Sequence, residues 1–587
     1  MPGEQFDGFI ELSRGVNATR NPMLLPESQC ARAINVSFRG GKARTRPAWV
    51  ALEGDRLPAG VFRGMARWSL ERSDWLVLVI DASVYTFAIG TMVLTKHADF
   101  DTSYGNCFFT QADRFMVVQD GEGEPIVLKE SGGTPSVLEP TEFEDEQSGI
   151  TIRTPSIPPG TIGLFAHGRI HMVPKFVQNT SVSGKQYLES GDIMLPDEPE
   201  SVLRFTETSY LSEGGAHAMP LEMGNIGGLG VLRNAQTGTG LGSVVAFARN
   251  GVCAFDFSIS RTQWKDQVLS NVLFFGPGCR SPRSVLAVND DLLYRGLDGI
   301  RALRYSVTQS AGSSGTLSNT PLSQEVTPFL ENDTPWLPNV SSALWDNRFL
   351  CTCGGHTARD GSFGGLISWD VGASYYNGVS AAGVYDGLWT GFQVNQITHA
   401  LRDYEMEVFA ISSTNKLYRL DLDAVLDPGD TPIKSRIETK SMMFGDVVTT
   451  KRLNYVELWL SEVATTTEVT IYYRPHAYPL WKKLGDTRTV TIPPGGRAQP
   501  CTRLRFNIDF SAENCNPITQ EPLYLGQGFQ LAVEWTGRAT IDRLRASVEP
   551  VGEQNPDPCD QEGAVIEPSP MAGQELPDYD YQFPETP

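Results

Sequence analysis

Residues 106–121 read NCFFTQADRFMVVQDG. A short apolar run, Cys107–Thr110, meets the polar group Gln111–Arg114. A second run, Phe115–Val118, then closes on Gln119-Asp120-Gly121. Two short apolar runs separated by a few turn-forming residues make an antiparallel hairpin. A hairpin alone cannot bury its apolar face, so hairpins of this kind must stack or close on themselves.

The same pattern returns along the chain. Trp75–Ile80 turns into Val84–Phe87, and Leu164–His167 turns at Gly168-Arg169 into Ile170–Val173. Val244–Phe247 leads through an Asn-Gly turn to Val252–Phe257. Leu286–Val288, Leu292–Tyr294 and Ile300–Leu303 follow one another, as do Ala343–Trp345 and Phe349–Cys353, then Val408–Ile411 and Leu417–Leu420. At roughly 40 to 50 residues per four-stranded blade, the region predicts a β-propeller of about seven or eight blades. The widest gap lies between Ile170 and Val244, so an insertion is expected within 174–243, where GLGVLRNAQTGTGLGS is too glycine-rich for a regular element. Two Trp-Asp dipeptides, Trp345-Asp346 and Trp369-Asp370, lack the wider repeat signature of that propeller class and read as coincidence.

Beyond Asp427-Pro428-Gly429-Asp430 the strands lengthen and alternate more cleanly. Asn454–Leu460, Glu468–Tyr473, Arg488–Ile492, Arg503–Ile508, Phe529–Trp535 and Thr540–Val548 give a β-sandwich pattern. The expected class is therefore all-β. An N-terminal arm with a first strand occupies 1–50, and a propeller occupies 51–430. A smaller sandwich-like domain follows over 431–550, then an acidic, proline-rich tail over 551–587. That tail holds nine acidic residues, no basic ones and seven prolines, a composition unable to build a core of its own.

The whole chain of 587 residues carries 48 basic and 69 acidic side chains, formally −21. Gripping DNA needs a basic surface, so sequence-specific DNA binding is not expected. The N-terminus MPGEQFDGFIELSRG has no apolar leader core, and no stretch reaches about 18 apolar residues; no membrane insertion is expected. Nine cysteines, with no Cys-x-x-Cys, read as free buried thiols. No nucleophile elbow, phosphate loop or His-Glu-x-x-His occurs, so neither an enzyme nor a cofactor or metal is expected. His167 and His171 fall across a hairpin turn. Asp421, Asp423, Asp427 and Asp430 could offer oxygen ligands to calcium but lack the helical calcium-loop spacing.

The stretch Gly15–Trp49, GVNATRNPMLLPESQCARAINVSFRGGKARTRPAW, is too polar and too interrupted for a core helix. It holds one short strand (INVSF), then a turn crowded by Arg39, Lys42, Arg44 and Arg46. Those charges either pair with local carboxylates or form a docking surface for an acidic neighbour. The acidic tail of an adjacent copy is one such neighbour, anchored by Tyr579, Tyr581 and Phe583.

The order Gly-Val-Asn, Leu-Pro, an Asn-Val strand, Gly-Gly and Arg-Thr-Arg-Pro resembles the opening of tail nozzle proteins of short-tailed bacteriophages, the tail tubular protein B family. Asn106–Gly121, Leu164–Val173 and Gly276–Leu303, with its Asp298-Gly299-Ile300 turn, are similar to later segments of that family in the same order. The region from Arg452 resembles its sandwich-like part. The resemblance implies a structural virion protein assembled in the host cytoplasm, one of six copies in a ring around the DNA exit channel. Its partners would be its own copies, a tail adaptor and the portal, and fibre, spike or needle proteins. Double-stranded DNA would pass through without sequence-specific binding. A reading from another class is a receptor-binding or glycan-binding propeller at the tail tip, with Trp336, Tyr375, Tyr376 and Trp389 lining a sugar site.

Overall fold

Seven β-sheets form a closed ring. The computed structural model describes residues 3–551 except 53, 55, 71–73, 102–104, 145–150, 178–179, 207–215, 234–240, 258–262, 265–269, 305, 307–319, 355–361, 379–382, 477, 493–501, 511–513 and 517–521. Blade 1 comprises Phe62–Ser69, Asp74–Ile80, Ser83–Ala88 and Val93–Asp99, in that order. Blade 2 spans Phe108–Ala112 to Thr134–Val137, and blade 3 spans Gly160–Ala166 to Ala216–Ala218. Blade 4 spans Ile226–Arg233 to Ser270–Phe275. Blade 5 has three strands, Leu286–Val288, Asp291–Arg295 and Ile300–Ala302.

Blades 6 and 7 share one strand of 19 residues, Val384–Arg402. Its first half is the outer strand of blade 6, paired with Phe363–Asp370. Its second half is the inner strand of blade 7, paired with Glu405–Ser412. The outer strand of blade 7 comes from the far end of the chain: Ala48–Ala51 pairs with Tyr418–Asp421. The ring is thus locked by residues that precede blade 1.

Closure is visible in the packing. Apolar clusters fill the gaps between neighbouring blades, and the gap between blades 5 and 6 opens into the core shared with the sandwich. Val79 and Val84 meet Met116 and Leu128 between blades 1 and 2, and Phe115 and Val117 meet Ile170 and Met172 between blades 2 and 3. The series continues round to Phe409 and Ile411 of blade 7, which meet Leu76 and Leu78 of blade 1. The turns carry the backbone chemistry that hairpins need. Asp81, Asp113, Asn289 and Asn415 have positive φ, and so do both residues of His167-Gly168 and Asp346-Asn347, as tight two-residue turns require.

The second domain is a sandwich of two sheets. One holds Lys434–Met442, Phe529–Thr536, Thr467–Pro475 and Lys482–Val490. The other holds Thr540–Pro550, Lys451–Ser461 and Thr502–Asn507. The N-terminal segment completes both. Arg32–Ile34 pairs with Lys434–Met442 on one side and, in parallel, with Leu388 of the shared strand on the other. Gln5–Phe9 and Ala43–Thr45 pair with Thr540–Pro550. Residues 3–50 are therefore no arm laid on a surface; they supply strands to both sheets of the sandwich and the closing strand of the propeller. One continuous core runs from Leu293 and Phe349 of the propeller through Val16, Val36 and Phe38 to Val456, Leu531 and Val548 of the sandwich.

The segment 174–243 contributes strands to two blades. It supplies Tyr187–Ser190 and Ala216–Ala218 of blade 3 and the inner strand of blade 4. The extra length is the connection between the first two of these. Six described cysteines are free and buried. Cys515 departs from that expectation, being disulfide-bonded.

Candidate functional site

The basic turn sits where propeller and sandwich meet, with Arg39 and Arg46 turned inward. Arg39 reaches blade 6, with Nε 2.8 Å from Asp370 Oδ2 and Nη1 2.6 Å from Asp346 Oδ2. Its guanidinium lies 4.3 Å from the Tyr376 ring centre. Burial works to lower its pKa, but the bonds to Asp370 and Asp346 outweigh burial and hold it above the usual arginine range. Arg348 stands beside it. It donates to Asp346 at 2.7 Å, to Asp386 at 3.1 Å and to Ser37 Oγ at 2.8 Å. Asp386 also accepts from the Phe38 amide and the Ser368 hydroxyl. Burial raises its pKa, against the pull of Arg348.

Arg46 is the most enclosed of the four. Its side chain has no exposed surface and forks onto Asp427 at 3.0 and 2.6 Å. Nε donates to Asn35 Oδ1 at 2.9 Å, Nη1 to the Pro47 carbonyl at 2.7 Å, and Nη2 to the Thr390 carbonyl. All five donors of the guanidinium are satisfied, the condition under which a buried arginine is tolerable. Lys42 and Arg44 are half exposed and meet Asp542 at 2.6 Å and Glu462 at 3.6 Å.

Each of Arg39, Lys42, Arg44 and Arg46 thus has a carboxylate within its own chain, and Arg46 is occupied completely. Tyr579, Tyr581 and Phe583 lie outside the described residues. What the sequence reading passed over is the other half of the seam. Asp346 and Asp370 belong to the two Trp-Asp dipeptides set aside as coincidence, and they are the partners of Arg39 and Arg348.

Catalytic arrangements do not assemble here. Asp346, Asp370 and Asp386 are each held by arginine. A glycoside-cleaving pair needs two carboxylates facing one another across a sugar. The proposed aromatic site does not form either. Trp389 is 1% exposed and donates to the Val36 carbonyl at 2.8 Å, Trp336 is half-buried against the main core, and Tyr375 and Tyr376 are exposed.

His171 is buried between Ser190 Oγ at 2.7 Å and the Ala166 carbonyl at 3.2 Å, stacked on Phe257. Burial pushes its imidazole down to about 3. His167 turns away to the Gly242 carbonyl. Asp421 caps its own turn through the amides of Asp423 and Ala424, and Asp427 is taken by Arg46. Among the described residues no cluster of three or more His, Cys, Asp or Glu could hold a metal ion. No helix among them is long and apolar enough to cross a membrane.

The propeller axis is bridged at one end. Arg283, in the turn before blade 5, crosses to the carbonyls of Arg63 at 2.7 Å and Cys107 at 2.9 Å, which lie on blade 1 and just before blade 2. Burial brings its pKa down to about 10. Asn106, before blade 2, bonds Asn339, before blade 6, at 2.8 Å. The bore of a single propeller is therefore crossed by side chains. A polar cleft of about 640 Å³ opens instead between the N-terminal segment and the turn at 322–329, lined by Arg14, Asn17, Arg20, Gln29 and Glu325. Burial raises the Glu325 pKa, although Gln29 and Asn17 both donate to it at 3.3 Å.

No family model matches the chain, and no curated protein matches it. Solved structures with a similar course exist at low similarity. A chain of the crystal structure of the mitotic checkpoint complex is 12% identical, covering 64% of this chain and 94% of its own, with a TM-score of 0.34. A chain of BBS1N in complex with ARL6DN is 9% identical, with coverages of 64% and 98% and a TM-score of 0.35. The extracellular domain of the putative one component system BT4673 from B. thetaiotaomicron is 7% identical, with coverages of 77% and 47% and a TM-score of 0.34. At this level of likeness the propeller assignment rests on the closed ring of blades itself.

Proposed function

We propose that the chain is a non-enzymatic building block of a short-tailed phage tail, a nozzle subunit repeated as a homohexameric ring around the DNA exit path. The observation that carries this reading is the placement of Gly15–Trp49, the longest stretch of the resemblance. It is the segment that welds the propeller to the sandwich and closes the last blade. The other matched segments fall on the first hairpins of blades 2 and 3, on blade 5 and on the sandwich strand Lys451–Ser461.

The side chains that bridge the propeller axis make the exit path a space between subunits, not a hole within one. In that ring the work of the protein is geometric and electrostatic. Its net charge of −21 repels DNA over a screening length of about 8 Å at physiological salt. DNA then slides past the wall without binding it. The adaptor and portal would meet one rim, and fibres, a spike or a needle the other.

The test is immunogold electron microscopy of phage particles from the source culture, with an antibody raised against 552–587. Gold at the end of a short tail, with six-fold symmetry on averaging, is the expected result. Gold on distal fibres would move the assignment to receptor binding. Intact unlabelled particles, with an accessible epitope in a control, would remove the chain from the virion.

A further inference from the structure

The outer face of one sandwich sheet is an arginine and aromatic platform in a strongly acidic protein. Cross-strand register puts Arg503, Trp459 and Arg543 in one row, and Arg505, Glu457 and Arg545 in the next. A third row holds Asn507, Tyr455, Ser547 and Phe6. Residues directly opposite in an antiparallel pair share a face. Alternate residues of the same strands, Val456, Leu458, Leu544 and Ala546, fill the core, so this face points to solvent.

The arginines stack on the rings. Arg543 lies 4.1 Å from the Trp459 centre, Arg505 lies 3.6 Å from Tyr455, and Arg545 lies 4.6 Å from Phe6. Glu457 holds Arg503 and Arg545. Glu4 stands on the third row, bonded by Ser547 and Tyr455 and in electrostatic reach of Arg505 and Arg545; Arg543 has no ion pair among the described residues. Elsewhere on the sandwich Arg436 also stacks on rings but has two carboxylates, Glu438 and Glu534. The face thus sets four arginines against the two carboxylates Glu457 and Glu4, a net positive surface pre-ordered by stacking.

We propose that this face is the seat of the acidic C-terminal segment of the same chain, residues 552–587, docked through Asp578-Tyr579-Asp580-Tyr581. Three observations point to it. The segment starts immediately after Thr540–Pro550, the strand that carries Arg543 and Arg545. Its nine carboxylates and absence of basic residues complement the platform. Its spacing also fits. Residues two apart in extended chain stand about 6.5 to 7 Å apart, the spacing between successive rows of the platform, so Asp578 and Asp580 can meet neighbouring rows that include Arg505 and Arg543. The adjacent tyrosines offer rings to the same guanidinium groups. Reach is no obstacle, since the 27 residues from Val551 to Asp578 extend up to about 90 Å. Tethering on a short linker gives an effective concentration of order millimolar, which favours the chain's own tail over a neighbour's. Docking would shield the platform from DNA and other polyanions. The inference is independent of the nozzle reading and survives its failure.

The test is photocrosslinking of the full chain with benzoylphenylalanine in place of Tyr581. At low salt, adducts are expected on peptides containing Arg503–Asn507 or Arg543–Ser547. Their yield should fall several-fold in the Arg505→Gln/Arg543→Gln variant, which leaves both ion pairs of Glu457 in place. It should fall similarly for the unaltered face at about 1 M salt, where charge pairs are screened. Adducts scattered over other surfaces, or insensitive to both changes, would overturn the proposal. So would adducts joining heavy-labelled to unlabelled chains in a mixture, which would assign the seat to a second copy. Loss of the adduct on adding equimolar short duplex DNA would overturn it in favour of a nucleic acid.

Discussion

Arg46 and Arg44 sit two residues apart and differ in everything that sets the worth of a charge. Arg46 is enclosed and forked onto Asp427; Arg44 is 45% exposed and 3.6 Å from its partner. Removing one member of a buried pair leaves an uncompensated charge and costs about 3 to 5 kcal/mol. Breaking an exposed pair costs about 0 to 1 kcal/mol. Arg46→Ala should therefore lower the denaturation midpoint sharply in urea titrations, and Arg44→Ala should barely move it. The sequence showed four basic residues in a cluster and could not separate these two. Their partners lie some 380 to 420 positions away, and spacing carries no information about such distant neighbours.

A second residue-scale prediction concerns pH. His171 titrates at about 3 when folded and near 6.5 when unfolded. Its folded value is depressed, so its stabilisation is complete above pH 6.5 or so and is lost as pH falls toward 3. In that window the unfolded chain takes up a proton that the folded chain refuses. The slope is about 1.4 kcal/mol per pH unit. His171→Gln should lower stability at pH 7 and flatten the loss between pH 7 and pH 5. Equal slopes in urea midpoints for the two proteins would contradict a neutral buried imidazole.

At the scale of elements, the hairpins were legible because their turns are local chemistry. Asp81, Asp113, Asn289 and Asn415 announce left-handed backbone, and each lies between apolar runs that became paired strands. The shared strand of blades 6 and 7 was not legible. Its two halves have different partners, and nothing in a run of 19 residues marks the change of sheet except glycines. Gly387 is one of these, at φ +93 and so close to the Ala33 carbonyl that a Cβ would stand 2.3 Å from it. That contact is where the N-terminal strand lies against blade 6. Gly387→Ala should strain the backbone by about 1 to 3 kcal/mol and pry this junction apart. Hydrogen exchange should then quicken at Arg32–Ile34 ahead of blades 1 to 4. Unchanged protection there would show that the junction absorbs the methyl group.

The molecule as a whole is divided by its chain order and joined by its core. Composition and strand length separated a propeller from a sandwich near residue 430, and the strands fall on either side of that point. The role of residues 1–50 was hidden, because a polar, proline-broken stretch looks like a surface arm until its partners are known. With one core running through both domains, calorimetry should show propeller and sandwich melting in a single transition. A chain limited to 52–430 lacks Ala48–Ala51 and leaves Leu417–Asp421 of blade 7 as an open edge. It should express as aggregate, and recovery of a monomeric, cooperatively melting fragment would show that the closing strand is dispensable.

The same closure sets a clock on biosynthesis. Ala48–Ala51 leaves the ribosome early, yet the edge it must zip onto emerges about 370 residues later. At 5 to 20 residues per second that is a wait of roughly 20 to 70 seconds. Throughout it the nascent chain carries unsealed blades and unpaired N-terminal strands. The fold can be completed only after release of most of the polypeptide, so slow codons late in the message would prolong exposure, and holdase chaperones would find their substrate during synthesis.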